Sequence, residues 1–324
     1  MDKAELHCHL DGIPGLAMIQ EIYRQDPTFP ISPAAFQDAG PIQSPESFFA
    51  WLDVIDPIEG GLDHFYPILG RHIAALKAQS VRYAEIMIGS SEIPNDTGEA
   101  LDRLGALREW VTEQEAGEIQ VEFLMVFCRP RSPESVAQLV EKTVVLYRAG
   151  LLVGIALAGR ERGFPVRPFQ KSLAQLKEAG LGIEIHAGEW CGPESVWEAL
   201  EHGYPDRIGH GLGIFQDPAL LDAIRERGIH VEMCPTSNLV TGAIRRIEEH
   251  PVGRARELGL DFSINTDDPG PFGCSMESEY ALLARVFGFT ERDFAQVYHN
   301  SMNARFQPQL RIPHAADQPG MGDE

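Results

Sequence analysis

The strongest constraint on the fold of this chain is the alternation of eight short apolar runs with longer amphipathic segments along 324 residues. Short, nearly continuous apolar runs are typical of strands buried on both faces. The eight runs cover residues 4–10, 81–89, 119–127, 151–159, 181–188, 207–214, 229–235 and 260–266. Helix-like segments cover residues 62–80, 133–150, 168–180, 193–203 and 218–228, and several of them end at glycine, as helices often do.

Strands that alternate with helices form a parallel sheet, and eight such units favour a closed (β/α)8 barrel of the TIM type. The alternative is a doubly wound open sheet. That fold usually carries a glycine-rich phosphate loop after its first strand, whereas the first run here ends in HLDG at residues 9–12. We therefore expect one barrel domain over residues 1–311 and a flexible tail over residues 312–324.

Residues 11–61 do not fit the repeat, because they form a long stretch rich in proline and glycine that contains SPESFFAWL at residues 44–52. We interpret this stretch as an inserted lid or pocket wall after the first strand. A surface insertion that packs on itself is an equal alternative. Its aromatic residues Phe48, Phe49 and Trp51 belong either to the core or to a substrate pocket.

The formal net charge of −21 at pH 7 excludes some classes of partner. Nucleic acid and anionic membrane surfaces repel such a charge, so neither is expected to bind. The five cysteines include no CxxC pair and indicate reduced thiols. We find no signal peptide and no run of the roughly 20 apolar residues that a membrane span needs. A cytoplasmic protein of undetermined oligomeric state is therefore expected.

Ionisable residues cluster where the predicted strands end, which in a parallel barrel is where working groups lie. They are His7 and His9 on the first strand, His186 and Glu189 at the fifth, His210 on the sixth, and Asp267 and Asp268 at the eighth. Singly, each has an ordinary explanation, since a lone histidine is usually a core residue and DDPG is a common turn. Together they are costly to bury unless they bind or pair with something.

The chemistry of this set suits zinc. Three neutral imidazoles and one carboxylate are ligands that Zn²⁺ accepts while it leaves a position for water. We assign these ligands to His7, His9, His186 and Asp267, with one ion per chain. Such an ion lowers the pKa of its water to about 7.

The remaining polar groups suit catalytic roles. Glu189 follows His186 by one loop step, so it is better placed to protonate the electrophile than to act as a further ligand. His210 is expected to orient the attacking nucleophile and to stabilise developing charge. Asp268 is then free to form a hydrogen bond with the substrate.

Six motifs together resemble those of the adenosine deaminase branch of the amidohydrolase superfamily. They are ELHCHLDG (5–12), ALAGRE (156–161), IHAGE (185–189), RIGHG (207–211), CPTSN (234–238) and INTDDP (264–269). They occur in the family's order and span most of the chain. The resemblance implies a zinc (β/α)8 barrel that binds a small-molecule purine and hydrolyses its exocyclic amine at C6.

The resemblance also implies contacts with the purine. Glu189 would protonate N1, Asp268 would hydrogen-bond N7, and the backbone N–H of Gly159 would meet N3. Asp11 lies where the family contacts the ribose 5′-hydroxyl. The expected substrate-binding residues are therefore His9, Asp11, Gly159 and Asp268.

The first strand favours a nucleoside, because adenine deaminase and aminofutalosine deaminase relatives tend to read HIEG where this chain reads HLDG. We expect adenosine or 2′-deoxyadenosine, although Asp11 has the alternative of being only a turn carboxylate. The first alternative is the same hydrolytic deamination with adenine, aminodeoxyfutalosine or an N6-substituted nucleoside as the substrate.

Departures from the family pattern concern the pocket. The chain reads IMIGSSEIP at residues 86–94, where an Arg-Tyr-Ser-Pro-like stretch is usual, and Arg160 stands where an acidic residue is common. These differences leave room for a larger substrate. A non-catalytic purine-binding barrel is a remote alternative, since no expected site residue is lost. A two-metal hydrolase of amide or phosphoester bonds is disfavoured, because residues 151–159 contain no lysine.

Overall fold

A parallel sheet of eight strands forms the centre of the protein. The computed structural model describes residues 1–38, 40–53, 61–129 and 132–307. The strands are β1 (Lys3–His9), β2 (Val81–Gly89), β3 (Gln120–Cys128), β4 (Gly154–Ala158), β5 (Gly182–Ala187), β6 (Arg207–His210), β7 (His230–Met233) and β8 (Phe262–Ile264). They pair in sequence order, and a parallel bridge between Cys8 and Asp267 brings the chain after β8 back to β1. The predicted (β/α)8 barrel is confirmed.

Helices follow the strands, as the sequence pattern predicts. Within the described residues they are α1 (Leu16–Gln25), α2 (Pro33–Asp38), α3 (Pro45–Leu52), α4 (Tyr66–Ala78), α5 (Thr97–Glu115), α6 (Pro133–Arg148), α7 (Gln170–Glu178), α8 (Pro193–His202), α9 (Pro218–Arg227), α10 (Pro235–Val240), α11 (Val252–Glu257), α12 (Pro269–Phe272), α13 (Met276–Phe287) and α14 (Glu291–Ala304). All five predicted helical segments contain one of these helices. In the described part of the chain, no helix combines the length and apolar character needed to cross a membrane.

Some strands are shorter than the apolar runs that predict them, and the reason bears on function. The sixth run extends to residue 214, but β6 ends at His210, where the backbone φ turns positive, at 61°. A 3₁₀ turn, Leu212–Gln216, takes up the rest of that run. Asp267, after β8, is likewise a non-glycine residue with a positive φ, of 65°. Left-handed backbone is uncommon for such residues and is concentrated at functional sites.

The segment after β1 forms α1, α2 and α3. Trp51 packs in the core, with its ring centroid 5.2 Å from that of Phe36. Phe48 and Phe49 instead line a pocket at the C-terminal end of the barrel. The segment therefore supplies part of a pocket wall, whereas its closure as a lid stays a prediction. The single domain over residues 1–311 also stays a prediction, and the tail over residues 312–324 lies outside the described residues.

Phe306 covers the opposite end of the barrel. Its ring lies against the first residues of β4 and β5, so closely that a Cβ on Gly182 would be 2.2 Å from a ring carbon. The ring centroid is 3.5 Å from Cζ of Arg207, the first residue of β6. The Phe306 amide N–H donates to Oε1 of buried Glu85 at 2.9 Å. The residue thus closes the barrel and covers a buried ion pair between Arg207 and Glu85.

We predict that Phe306→Ala lowers the free energy of unfolding by about 3 kcal/mol, because it leaves a cavity over the buried Arg207 guanidinium. Urea unfolding followed by circular dichroism measures the change. Phe164→Ala is the control, since that ring is 36% exposed; its expected effect is within about 0.5 kcal/mol. Equal losses in the two variants would show that Phe306 does not support the barrel.

Candidate active site

Several ionisable side chains meet inside the C-terminal end of the barrel. One ring nitrogen from each of three histidines and one oxygen of Asp267 lie within 4.8 Å of one another; the histidines are His7, His186 and His210. His9 adjoins them, with its Nε2 3.2 Å from Nε2 of His186 and 3.4 Å from Oδ1 of Asp267. The structure therefore brings the four predicted ligands together and adds His210 as a further candidate.

Two of the imidazoles are held by buried carboxylates on the side away from this cluster. Nδ1 of His7 is 2.7 Å from Oε2 of Glu232, and Nδ1 of His186 is 3.0 Å from both oxygens of Glu184. In its neutral form, an imidazole whose Nδ1 donates to a carboxylate keeps its lone pair on Nε2. Nε2 of His7 is buried and makes no hydrogen bond. Such inward-facing lone pairs, oriented by carboxylates, fit a divalent metal ion.

Neither Glu184 nor Glu232 was among the residues predicted from the sequence. Both are fully buried within strands. The sequence could have indicated Glu184, because this residue precedes His186 by two positions and alternate residues of a strand face the same side. Glu232 also forms an ion pair, with Nε of Arg207 2.7 Å from its Oε1. One guanidinium thus offsets part of the buried negative charge beneath the histidines.

The electrostatic environment keeps most of the histidines neutral. Burial is the main cause that lowers the pKa of His186 well below its ordinary value and that of His210 to about 3. Burial acts on His7 too, but the carboxylates of Asp267 and Glu232 outweigh it and raise the His7 pKa. Burial opposes ionisation of Asp267, yet the neighbouring histidines hold its pKa well below the usual range. Neutral imidazoles and an ionised carboxylate are the forms that bind metal.

Glu189 lies beside the cluster in a form suited to an acid. Its side chain is 4% exposed, and its Oε2 is 3.6 Å from Nε2 of His210. Its Oε1 accepts hydrogen bonds from Nδ2 of Asn238 at 3.3 Å and from Oγ1 of Thr241 at 3.4 Å. Burial first, and then nearby carboxylates, raise the pKa of Glu189 well above its ordinary value. The surroundings therefore favour the protonated carboxyl more than water would.

The loop that carries Glu189 is held by Glu161, the last residue of the ALAGRE motif, for which the sequence predicted no role. Oε1 of Glu161 accepts from the amide of Gly188. Its Oε2 accepts from the amides of Trp190 at 2.7 Å and Cys191 at 3.1 Å. Three backbone donors converge on one buried carboxylate, so the position of Glu189 depends on Glu161.

A pocket of about 280 Å³ opens onto the cluster. The predicted substrate residues His9, Asp11, Gly159 and Asp268 all line it. Burial, followed by the adjacent carboxylates, raises the pKa of Asp268 well above its ordinary value. Gly12 allows this packing, because a Cβ there would lie 1.8 Å from Oδ1 of Asp268. The two adjacent aspartates therefore differ in their surroundings: Asp267 contacts the histidines, and Asp268 faces the pocket.

The pocket rim is aromatic and cationic. Cζ of Arg160 lies 4.2 Å from the ring centroid of Phe49, and that ring contacts Trp190 at a centroid distance of 5.9 Å. Arg160 is exposed and lines the pocket together with Phe48. The divergent stretch 86–94 contributes no residue to the lining.

Comparison with known proteins agrees with this geometry. The profile of the family described as "Adenosine deaminase" matches residues 2–315. An aminodeoxyfutalosine deaminase of Streptomyces avermitilis is 34% identical over 315 residues, which cover 94% of this chain and 87% of that protein. An adenine deaminase of Sinorhizobium fredii is 31% identical, with 94% of each chain covered. An adenosine deaminase of Shewanella loihica is 28% identical, with 93% of each covered.

Solved structures share the fold. The adenine deaminase of Arthrobacter aurescens superposes with a TM-score of 0.82 at 22% identity, covering 95% of this chain and 94% of that one. An amidohydrolase from Burkholderia ambifaria, solved with bound Zn, superposes with a TM-score of 0.78 at 25% identity, covering 95% of this chain and 86% of that one.

We predict that substitutions of the two adjacent aspartates have different effects on metal content and turnover. Asp267→Ala should lower metal content well below one ion per chain, because it removes the carboxylate in contact with the histidines. Asp268→Ala should retain the metal and lose turnover. Elemental analysis after dialysis measures the first effect, with exposed Asp222→Ala as the control. The opposite pattern in the two variants would reverse the division of the pair.

Proposed function

The chain belongs to the adenosine deaminase family and is a hydrolytic deaminase, and we propose that it removes the C6 amine of adenosine or 2′-deoxyadenosine with one Zn²⁺. The observation that carries this proposal is that one pocket holds both the histidine and aspartate cluster and a buried Glu189 whose pKa is raised. Hydrolysis of an amidine carbon requires an activated water and a proton donor, and these residues can supply both.

His7, His9, His186 and Asp267 would hold the zinc ion. The donor set fits, because carboxylates orient the Nε2 lone pairs of His7 and His186 into the cluster. When bound, the ion supplies Lewis-acid activation of water at neutral pH.

Glu189 would give its proton to N1 of the purine, so that the ring carbon becomes electrophilic as the nucleophile approaches. Its raised pKa keeps the proton available until that step. His210, 3.6 Å away, would orient the nucleophile. Asp268, whose pKa is also raised by burial, would donate a hydrogen bond to N7, and the Gly159 amide would donate to N3.

Asp11 supports a nucleoside rather than a free base. Its carboxylate follows the first strand, beside His9, and both line the pocket. An acceptor at this place would suit the ribose hydroxyls, which free adenine lacks.

A second candidate is the same deamination of a larger adenine nucleoside. Arg160 and Phe49 present a cation and an aromatic ring at the pocket, beyond the residues assigned to the purine. Two relatives at 34% identity are named aminodeoxyfutalosine deaminases. We therefore keep aminodeoxyfutalosine as the alternative substrate.

Ammonia release by the zinc-loaded protein tests the proposal. The panel comprises adenosine, 2′-deoxyadenosine, adenine, aminodeoxyfutalosine and N6-methyladenosine. We expect kcat/KM for the first two compounds to exceed the others by at least about tenfold, which corresponds to one hydrogen bond with the ribose. Preference for aminodeoxyfutalosine would favour the second candidate. Preference for adenine would refute the role of Asp11.

We predict that Glu189→Gln retains zinc but loses turnover by about 10²-fold or more, because an amide of the same shape is not an acid at neutral pH. The measurement is kcat on the best substrate, together with zinc content. Exposed Glu178→Gln on α7 is the matched control and should behave as the unchanged protein. Near-normal kcat in Glu189→Gln would rule out this residue as the proton donor.

A further inference from the structure

A chain of hydrogen bonds runs from a backbone amide to the face of His210 that is turned away from the pocket. The amide N–H of Val252, the first residue of α11, lies 3.2 Å from Nδ1 of His250. Nε2 of His250 lies 3.2 Å from Oδ1 of Asn238. Nδ2 of Asn238 lies 3.1 Å from Nδ1 of His210. His250, Asn238 and His210 are 3%, 0% and 1% exposed, so water does not compete for these bonds.

The first hydrogen bond in this series fixes which atom donates and which accepts in each of the others. A backbone N–H can only donate, so the Nδ1 of His250 is an acceptor. A neutral imidazole carries one hydrogen, which must then be on Nε2. Burial lowers the pKa of His250 to about 3, in keeping with the neutral form. His250 therefore donates to Asn238, and the oxygen of the Asn238 amide must face it.

The orientation of the Asn238 side-chain amide determines the next hydrogen bond in the series. Because its oxygen is used by His250, its NH₂ group faces the other way and donates to Nδ1 of His210 and to Oε1 of Glu189. An imidazole that accepts at Nδ1 carries its hydrogen on Nε2. The Nε2 of His210 is the nitrogen that lies 3.6 Å from Oε2 of Glu189.

We propose that His250 and Asn238 are positioning residues that hold His210 with its hydrogen on Nε2, so that His210 is a hydrogen-bond donor and not a metal ligand. The consequence concerns the choice of ligands. Distances alone admit His210 into the cluster with His7, His186 and Asp267. A protonated nitrogen has no lone pair to give, so the third imidazole ligand falls to His9. Only this last step rests on the proposed zinc site; the tautomer of His210 does not.

The direct test is the tautomer of His210 in the full-length, zinc-loaded protein labelled with ¹⁵N-histidine. Long-range ¹H–¹⁵N correlation spectra distinguish the two neutral tautomers, and His210→Gln identifies the signals. We expect the hydrogen on Nε2. A hydrogen on Nδ1, or a metal-bound Nε2, overturns the proposal. Because this readout does not depend on turnover, it stays decisive even if none of the purine panel is a substrate.

Asn238→Asp tests the role of the amide with little change in shape. A carboxylate accepts from His250 as before but cannot donate to His210, so the hydrogen of His210 should move to Nδ1. We expect kcat to fall about 100-fold while KM stays within about threefold. An unchanged His210 tautomer in this variant would refute the role of Asn238.

His250→Gln and His250→Leu test the start of the chain. Glutamine keeps a donor near the position of Nε2, whereas leucine keeps only the bulk. We expect kcat within about threefold of the original for glutamine and a fall of about tenfold or more for leucine. Equal activity of the two variants would show that His250 contributes only through packing. His299→Leu is the control, since exposed His299 also pairs with an asparagine, Asn303, but far from the pocket.

Discussion

The hydrogen bond between Glu232 and His7 connects the two ends of the barrel. On its lower side Glu232 is paired with Arg207, whose guanidinium is covered by the ring of Phe306. On its upper side it orients the imidazole that faces Asp267. A carboxylate buried this deeply is stable only while it is paired. The geometry of the candidate active site therefore depends on packing at the opposite end of the molecule.

Buried carboxyl groups beside the pocket also depend on the groups that surround them. Glu161 binds three backbone amides and so holds the loop of Glu189. Burial, followed by nearby carboxylates, raises the pKa of Glu189 itself. A raised pKa is what the proposed role of Glu189 as a proton donor requires.

Much of the fold and of the inner site was predictable, because both follow from periodicity. Eight apolar runs indicated eight strands, and the rule that parallel strands end at one face indicated which ionisable residues would meet. The supporting residues were not found in this way. Glu232 reads as one polar residue within an apolar strand, and His250 lies in a loop that no sequence rule connects to His210. Their roles arise from contacts across large separations in the chain.

The sequence by itself determined the barrel, its family and the set of ionisable residues that meet at the C-terminal end of the barrel, because these depend on residue type and on spacing within single strands. The tertiary structure alone decided the direction in which the pKa of each group shifts. Asp267 and Asp268 are neighbours in the chain, yet the first meets histidines and the second meets other carboxylates, so their pKa values move in opposite directions. Burial and the sign of nearby charge set the direction of these pKa shifts, and both are properties of the folded chain.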